Sequence, residues 1–469
     1  MTAWIDLSAH EIAARVRSGE MSARQSVQAA LERLRATDPA LVAFTTVTDA
    51  RALARADPID AQLAAGQDPG PLTGVPFAVK DLVDIKGVIT RAGSKINMDN
   101  APARADAPVV TRLEAAGGIL IGALNMGEYA YDFTGENAHV GSTLNPHDPS
   151  RRSGGSSGGS GAAVAAGMVP LAVGSDTNGS IRVPSSWCGL FGLKATYGRV
   201  PRTGTFPFVD SLDHIGPMAR SVQDLALALE AMQGFDPGDP ACADQPACGA
   251  LSSLDRGITG LRLARGAGYF APPPGPARDA LDLCCAALGI QDEITLPGAA
   301  EARAAAAIIT AVEGAATHVE SLQTRPEAFG APIRDRLIAG ALIPGVAYVR
   351  AQRLRRQFAE DMALVFETVD AILVPTTPFP APPVDNDMIT VNGQSENYRA
   401  HIGPYVQPIS FIGLPVVSVP VQNAAGALPM GVQIIAPPWR EDIALRIARA
   451  LEARGTCTAP TARIKETAA

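Results

Sequence analysis

Serine and glycine crowd into two short stretches of this chain. Residues 153–161 are nothing but Ser and Gly (SGGSSGGSG), and Ser175-Asp176-Thr177-Asn178-Gly179-Ser180 follows within about one helix and one strand. A serine hydroxyl becomes a nucleophile for acyl transfer once a base takes its proton. Glycine-rich turns, having no Cβ, let backbone N–H groups approach a ligand closely. A solvated linker would be polar on both sides, yet the apolar runs 162–166 and 168–173 follow at once, so these glycines shape a packed loop.

Several familiar chemistries fit poorly. Gly154-Gly155-Ser156-Ser157-Gly158 matches the G-x-S-x-G elbow of α/β-hydrolases, but that motif needs a strand before it, and residues 145–152 (NPHDPSRR) read as a turn. A phosphate-binding loop would carry a Lys after the glycines, and none follows. Of the six histidines, His147 falls in a turn and His10 in a helix cap, which argues against a His-based triad. His139 and His214 flank the presumed cleft, as structural histidines or as substrate contacts. The alternative has the two serine loops facing each other and sharing a lysine.

The elements that would position these loops have an α/β rhythm. Val75, Phe77 and Val79 alternate before Lys80-Asp81-Leu82, which places Lys80 at the end of a strand. Residues 119–121 and 171–173 read as short buried strands between helical runs. Ser8 with Glu11 and Ser22 with Gln25 fit capping boxes, so residues 1–62 are expected to be largely helical, ahead of a core over 63–225. A turn-rich break at 234–240 opens an Ala-rich stretch, 235–345, read as a variable helical cap. Residues 371–374, 416–419 and 432–435 restore short strands, closed by Pro375, Pro420 and Pro437, so 346–469 should rejoin the sheet. One domain over 1–469 is expected, with no internal repeat.

Composition narrows the class. With 47 % apolar and 18 % charged residues over 469 positions, the chain can bury a large core. Net charge is −8, and the densest basic group, Arg350, Arg353, Arg355 and Arg356, spreads over more than one helix face, which reads as a solvated helix with one buried anchor rather than a nucleic-acid surface. Six cysteines show no C-x-x-C and no histidine at zinc-ligand spacing, so no metal is expected; Cys284 and Cys285 read as core. The opening MTAWIDLSAHE has no basic-then-apolar leader and no run of 18 apolar residues occurs, which leads us to expect a soluble cytoplasmic protein without a membrane partner.

Three segments taken together resemble the amidase signature family of serine hydrolases. They are Val79-Lys80-Asp81, the block 154–160 (GGSSGGS) and the block 174–182 (GSDTNGSIR), in the family's order; Ser156 follows Lys80 by 76 residues and Ser180 follows Ser156 by 24. The resemblance implies an α/β/α sandwich with a central mixed β-sheet covered by helices, and no cofactor. It also implies a triad of Ser180 as nucleophile, Ser156 after a cis peptide as relay, and Lys80 as base. Those roles make physical sense. At a reference pKa near 10.4 only about one Lys80 in 2,500 would be neutral at pH 7. Lowering that pKa by roughly three, worth about 4 kcal/mol, is what burial behind the strand ending at Lys80 can do.

In the same reading the backbone N–H groups of Thr177, Asn178, Gly179 and Ser180 form the oxyanion hole. Asn178 stands where the family more often has Gly; it tolerates left-handed geometry, and its amide narrows the pocket or contacts a polar substrate. Asp176 and Arg182 brace the loop by pairing. Within the family the chain most resembles the 1-carboxybiuret hydrolases, through segments 93–97, 103–107, 145–148, 175–184 and 348–353. That implies ammonia release from a small ureido carboxylate through an acyl-enzyme, a small helical accessory subunit, and a homo-oligomer or heterotetramer. Tyr131, Ser157 and Arg353 are then candidate substrate contacts. Oxalurate-type and general amidases, and the glutaminase subunit of a tRNA-dependent amidotransferase, share the same blocks; a non-catalytic scaffold is disfavoured because all three triad positions are filled.

Overall fold

The structure, a computed structural model, describes residues 4–391, 394–421 and 427–464. In chain order its strands are β1 (Phe44–Val47), β2 (Pro76–Lys80), β3 (Ile119–Leu124), β4 (Leu144–Asn145), β5 (Asp148–Arg152), β6 (Leu171–Ser175), β7 (Phe191–Lys194), β8 (Ile215–Ala219), β9 (Leu263–Ala267), β10 (Glu293–Thr295), β11 (Ala371–Pro375), β12 (Met388–Val391), β13 (Gln394–Asn397), β14 (Val416–Val421) and β15 (Met430–Ile435). Eleven of them form one mixed sheet in the order β1-β3-β2-β6-β8-β7-β14-β15-β11-β9-β10. The pairs β4–β5 and β12–β13 are separate hairpins.

Every residue of β2, β3, β6, β7, β8, β11, β14 and β15 is buried. Successive side chains on a strand point to opposite faces, so full burial means that both faces of the sheet are covered by helices. β3, β2 and β6 run parallel, with Val79 opposite Ala123 on one side and Val173 on the other. Their C-terminal ends therefore open at the same edge, where α/β sheets place their ligands.

The strands at 76–80, 119–124 and 171–175 fall where alternation and apolar runs put them, and both capping boxes form at Ser8 and Ser22. Other elements differ from expectation. The N-terminal part is helical over Ala9–Arg17, Ala23–Leu41 and Asp49–Ala64, but β1 interrupts it and pairs antiparallel with β3. The stretch 235–345 is not all helix: β9 and β10 extend the sheet beyond β11 by parallel pairing. Pro420 does not close its strand, because it pairs with Gly431 inside the β14–β15 ladder. The residues ahead of the Gly/Ser loop, read as a turn, form the β4–β5 hairpin, which stands apart from the main sheet. The Arg350–Arg356 group lies on the helix Gly345–Thr368, anchored by Arg355, which donates to the Ser211 carbonyl at 2.7 Å. Cys284 and Cys285 are buried. Among the described residues no helix is long and apolar enough to cross a membrane.

Candidate active site

β2 ends at Lys80, whose aliphatic stem and amine are fully buried at the C-terminal end of the strand. Lys80 Nζ lies 2.6 Å from Ser156 Oγ and 2.8 Å from Ser175 Oγ. Ser175 is the last residue of the parallel neighbour β6, so the register of two strands sets this contact. Ser156 comes from the Gly/Ser loop, and the Gly155–Ser156 peptide bond is cis. Burial lowers the Lys80 pKa to about 7, against the upward pull of the Asp213, Asp176 and Asp132 carboxylates. Because desolvation outweighs the pull of these three carboxylates, a neutral amine is accessible near neutral pH.

Ser180 sits on the turn after β6. Its carbonyl accepts the Ser157 N–H at 3.3 Å, which ties the two serine loops together, and Ser180 lines a cavity of about 110 Å³. The N–H groups of Thr177, Asn178, Gly179 and Ser180 have no acceptor among the described residues. Four adjacent donors left unpaired beside a cavity are an anion-stabilising arrangement, since buried backbone donors are otherwise paired. Gly179 holds φ at +134°, and a Cβ there would come within 2.5 Å of Val406 Cγ2. Asn178, in contrast, has no positive φ, so left-handed tolerance does not explain it; its Nδ2 donates to Thr310 Oγ1 at 2.8 Å instead.

Asp176 and Arg182 pair beneath the turn with both side chains fully buried: Nε donates to Oδ2 at 2.9 Å and Nη2 to Oδ1 at 3.0 Å. Arg182 also donates to Gln433 Oε1 at 2.8 Å, to the Val406 carbonyl at 3.1 Å and to Ser410 Oγ. The Arg182 charge holds the Asp176 carboxyl far below the usual range despite its burial. Arg182→Met would leave that carboxylate buried and unpaired, and is expected to cost about 3–5 kcal/mol of unfolding free energy in urea titrations. Arg24→Met, at the exposed pair with Asp57, should cost about 1 kcal/mol or less by the same measurement. Equal losses would mean that the buried pair does not hold the turn.

The remaining candidates separate. Tyr131 lines the cavity, its ring 4.8 Å from that of Phe208. Ser157 does not reach it, because its Oγ donates to the Ser175 carbonyl at 3.1 Å and accepts the Ser175 N–H at 3.2 Å; Gly174, whose Cβ would lie 2.9 Å from that Oγ, permits the approach. Arg353 is corrected as well. It is exposed on the helix Gly345–Thr368 and lines none of the cavity. The guanidinium that does line it is Arg336, on the helix Ala331–Ala341, with Nη1 donating to the Tyr131 carbonyl at 2.7 Å and its carbon 5.1 Å from the Tyr131 ring centroid. No carboxylate pairs with Arg336 among the described residues, and no local sequence signal marks it, since only tertiary packing brings it to the cavity that Ser180 lines. The cap helix Ala299–Thr324 adds Ala307 and Thr310 to the lining.

The histidines stay outside this chemistry. His139 Nε2 meets Glu128 Oε1 at 2.8 Å. His214 Nδ1 lies 3.0 Å from the Asp176 carbonyl and 2.6 Å from that of Leu212, and its Nε2 lies 3.3 Å from Lys194 Nζ. Neither imidazole contacts Ser156 or Ser180.

Known proteins show the same architecture. The amidase family profile matches residues 25–445. AtzE, the 1-carboxybiuret hydrolase subunit of Pseudomonas sp. (strain ADP), is 49 % identical over 447 residues, covering 95 % of this chain and 98 % of its own. A glutamyl-tRNA(Gln) amidotransferase subunit from Azotobacter vinelandii (strain DJ) is 39 % identical, covering 94 % and 96 %. A solved inhibitor-bound complex of an s-triazine catabolic enzyme superposes with a TM-score of 0.94 at 48 % identity, over 98 % of this chain and 100 % of that one. The chain therefore belongs to the amidase family, and is an amidohydrolase acting on carbon–nitrogen bonds.

Proposed function

We propose that Ser180 is the nucleophile of a two-step acyl transfer, with Ser156 as relay and Lys80 as base. The observation that carries this reading is the fully buried Lys80 amine 2.6 Å from Ser156 Oγ, beside a turn of unpaired N–H groups. Neutral Lys80 takes the Ser156 proton while Ser156 takes that of Ser180, whose Oγ attacks the amide carbonyl. Negative charge develops on the carbonyl oxygen and is met by N–H groups of residues 177–180, each typically worth about 3 kcal/mol. The Lys80 ammonium, through Ser156, returns a proton to the departing ammonia. Water then attacks the acyl-enzyme, giving a proton through Ser156 to the neutral Lys80, and that proton is returned to the departing Ser180 oxygen as the carboxylic product leaves.

The substrate in this reading is a small carboxylated amide or ureide of the kind named for the 1-carboxybiuret hydrolase relative. A cavity of about 110 Å³ suits a ligand of few atoms, and Arg336 supplies a cation without a carboxylate of its own. A planar guanidinium held against Tyr131 is suited to a carboxylate. Arg336→Met is expected to raise KM for a carboxylated substrate about 10- to 100-fold, as a charge-assisted hydrogen bond is lost. The kcat/KM for an uncharged amide should change much less. Equal loss on both would remove the carboxylate role.

The proposal extends to assembly with a small helical accessory subunit, or to a homo-oligomer, supported by the relative solved as a protein complex. It extends also to one amidase domain and a cytoplasmic location. Ammonia release from 1-carboxybiuret, oxalurate, malonamate, glutamine and aryl amides tests the function directly. Turnover confined to the carboxylated ureides supports it; preference for glutamine would move the chain to the amidotransferase side of the family.

A further inference from the structure

Beside Ser180, the Asn178 carboxamide is half satisfied. Its Nδ2 donates to Thr310 Oγ1 at 2.8 Å, while Oδ1, buried, has no hydrogen-bond partner. Both residues line the cavity that holds Ser180, and both are more than nine-tenths buried. A buried carbonyl oxygen without a donor is costly, so such groups are rare unless a ligand completes them. Thr310 reaches the turn from the cap helix Ala299–Thr324, 132 residues away in sequence, and has no other side-chain partner among the described residues. In the observed arrangement Thr310 holds the Nδ2 end of the carboxamide, and Oδ1 is the end left free.

We propose that Asn178 Oδ1 is a specificity-determining acceptor for an N–H on the acyl side of the scissile carbonyl, so that the site selects ureides over carbon-acyl amides. This rests on the carboxylated-substrate reading above and adds to it the residue that distinguishes the two substrate classes. In a ureide, the atom next to the reacting carbonyl is nitrogen and carries a proton that Oδ1 accepts. In a carbon-acyl amide it is a methylene, and Oδ1 stays unpaired. The backbone N–H of Asn178 faces the oxyanion independently of its side chain, which separates the two contributions.

Hydantoate and succinamate make the comparison, since both are carboxylated and both end in a primary carboxamide, and they differ only by N–H against CH2 beside that carbonyl. Binding is measured by calorimetry on Ser180→Ala protein, so that turnover does not enter. Hydantoate is expected to bind about 10- to 100-fold more tightly than succinamate. In Ser180→Ala/Asn178→Ala the ratio should fall to about threefold or less, with Asn178→Gly as a second variant and Thr310→Val lowering the ratio as well. A loop that merely needed Asn178 for its shape would weaken both ligands equally, which overturns the proposal. So does equal affinity for the two ligands on Ser180→Ala protein, or a preference for succinamate, the result if the carboxamide presented its N–H2 to the substrate. In those cases the carboxylate reading stands, because both ligands still bind; binding of neither overturns both.

Discussion

Ser180→Ala should lower ammonia release by about 10⁶-fold, to the level that oxyanion contacts and binding alone provide, by analogy with removal of a serine nucleophile elsewhere. A serine-directed fluorophosphonate should label the wild-type chain once, at Ser180, and leave the variant unlabelled. Ser156→Ala is no substitute for this test, because Ser156 already bonds to Lys80 and its removal disturbs the base as well. Residual labelling of Ser180→Ala at Ser156 would assign the nucleophile to the wrong loop. The effect is this large because Ser180 would form the covalent bond, whereas its neighbours only move protons or charge.

Lys80→Met should reduce kcat/KM by about 10³- to 10⁴-fold, near the upper range for loss of a general acid and base. Methionine roughly preserves the length and apolar contacts of the buried stem, so the variant should fold. The pH profile carries the mechanism. A base acts only when neutral, and burial lowers the Lys80 pKa from 10.5 to about 7. Below pH 7 the ammonium predominates, and wild-type kcat/KM should fall about tenfold per pH unit; above about pH 8 it should level off. An unshifted lysine would instead give a rise continuing towards pH 10.5. In Lys80→Met the inflection near 7 should vanish, and turnover comparable with wild type would refute the base.

Much of the site can be read along the chain because local rules place it. Val75, Phe77 and Val79 alternate into Lys80, and the observed β2 ends there. Residues 171–175 form a short apolar run that closes on Ser175, and the observed β6 delivers that hydroxyl to Lys80. Asp176 and Arg182 are six residues apart across a tight turn, a spacing that permits pairing.

What could not be read depends on distant packing. Arg336 resembles any helix arginine until the cap folds over residues 130–133 and brings it to the cavity. Arg353, three residues on from Arg350 in the same run of basic side chains, faces solvent because that helix packs through Ala351, Phe358 and Met362. β9 and β10 have three to five residues and only partly buried patterns, so nothing in their sequence outweighs the Ala-rich helices around them. β1 is four residues long and takes its strand from pairing with β3. The Asn178–Thr310 contact is tertiary too, since Thr310 lies on the helix Ala299–Thr324.

The direct measurement is the titration of Lys80 itself, by NMR of protein with isotope-labelled lysine side chains. A second fully buried lysine, Lys194, also has its pKa lowered to about 7 by burial, so the Lys80 resonance is assigned by its loss in Lys80→Met. An assigned resonance titrating near pH 7 is expected if a neutral amine drives Ser156 and Ser180. A midpoint near the ordinary 10.5 would leave Lys80 a cation at neutral pH and contradict the mechanism.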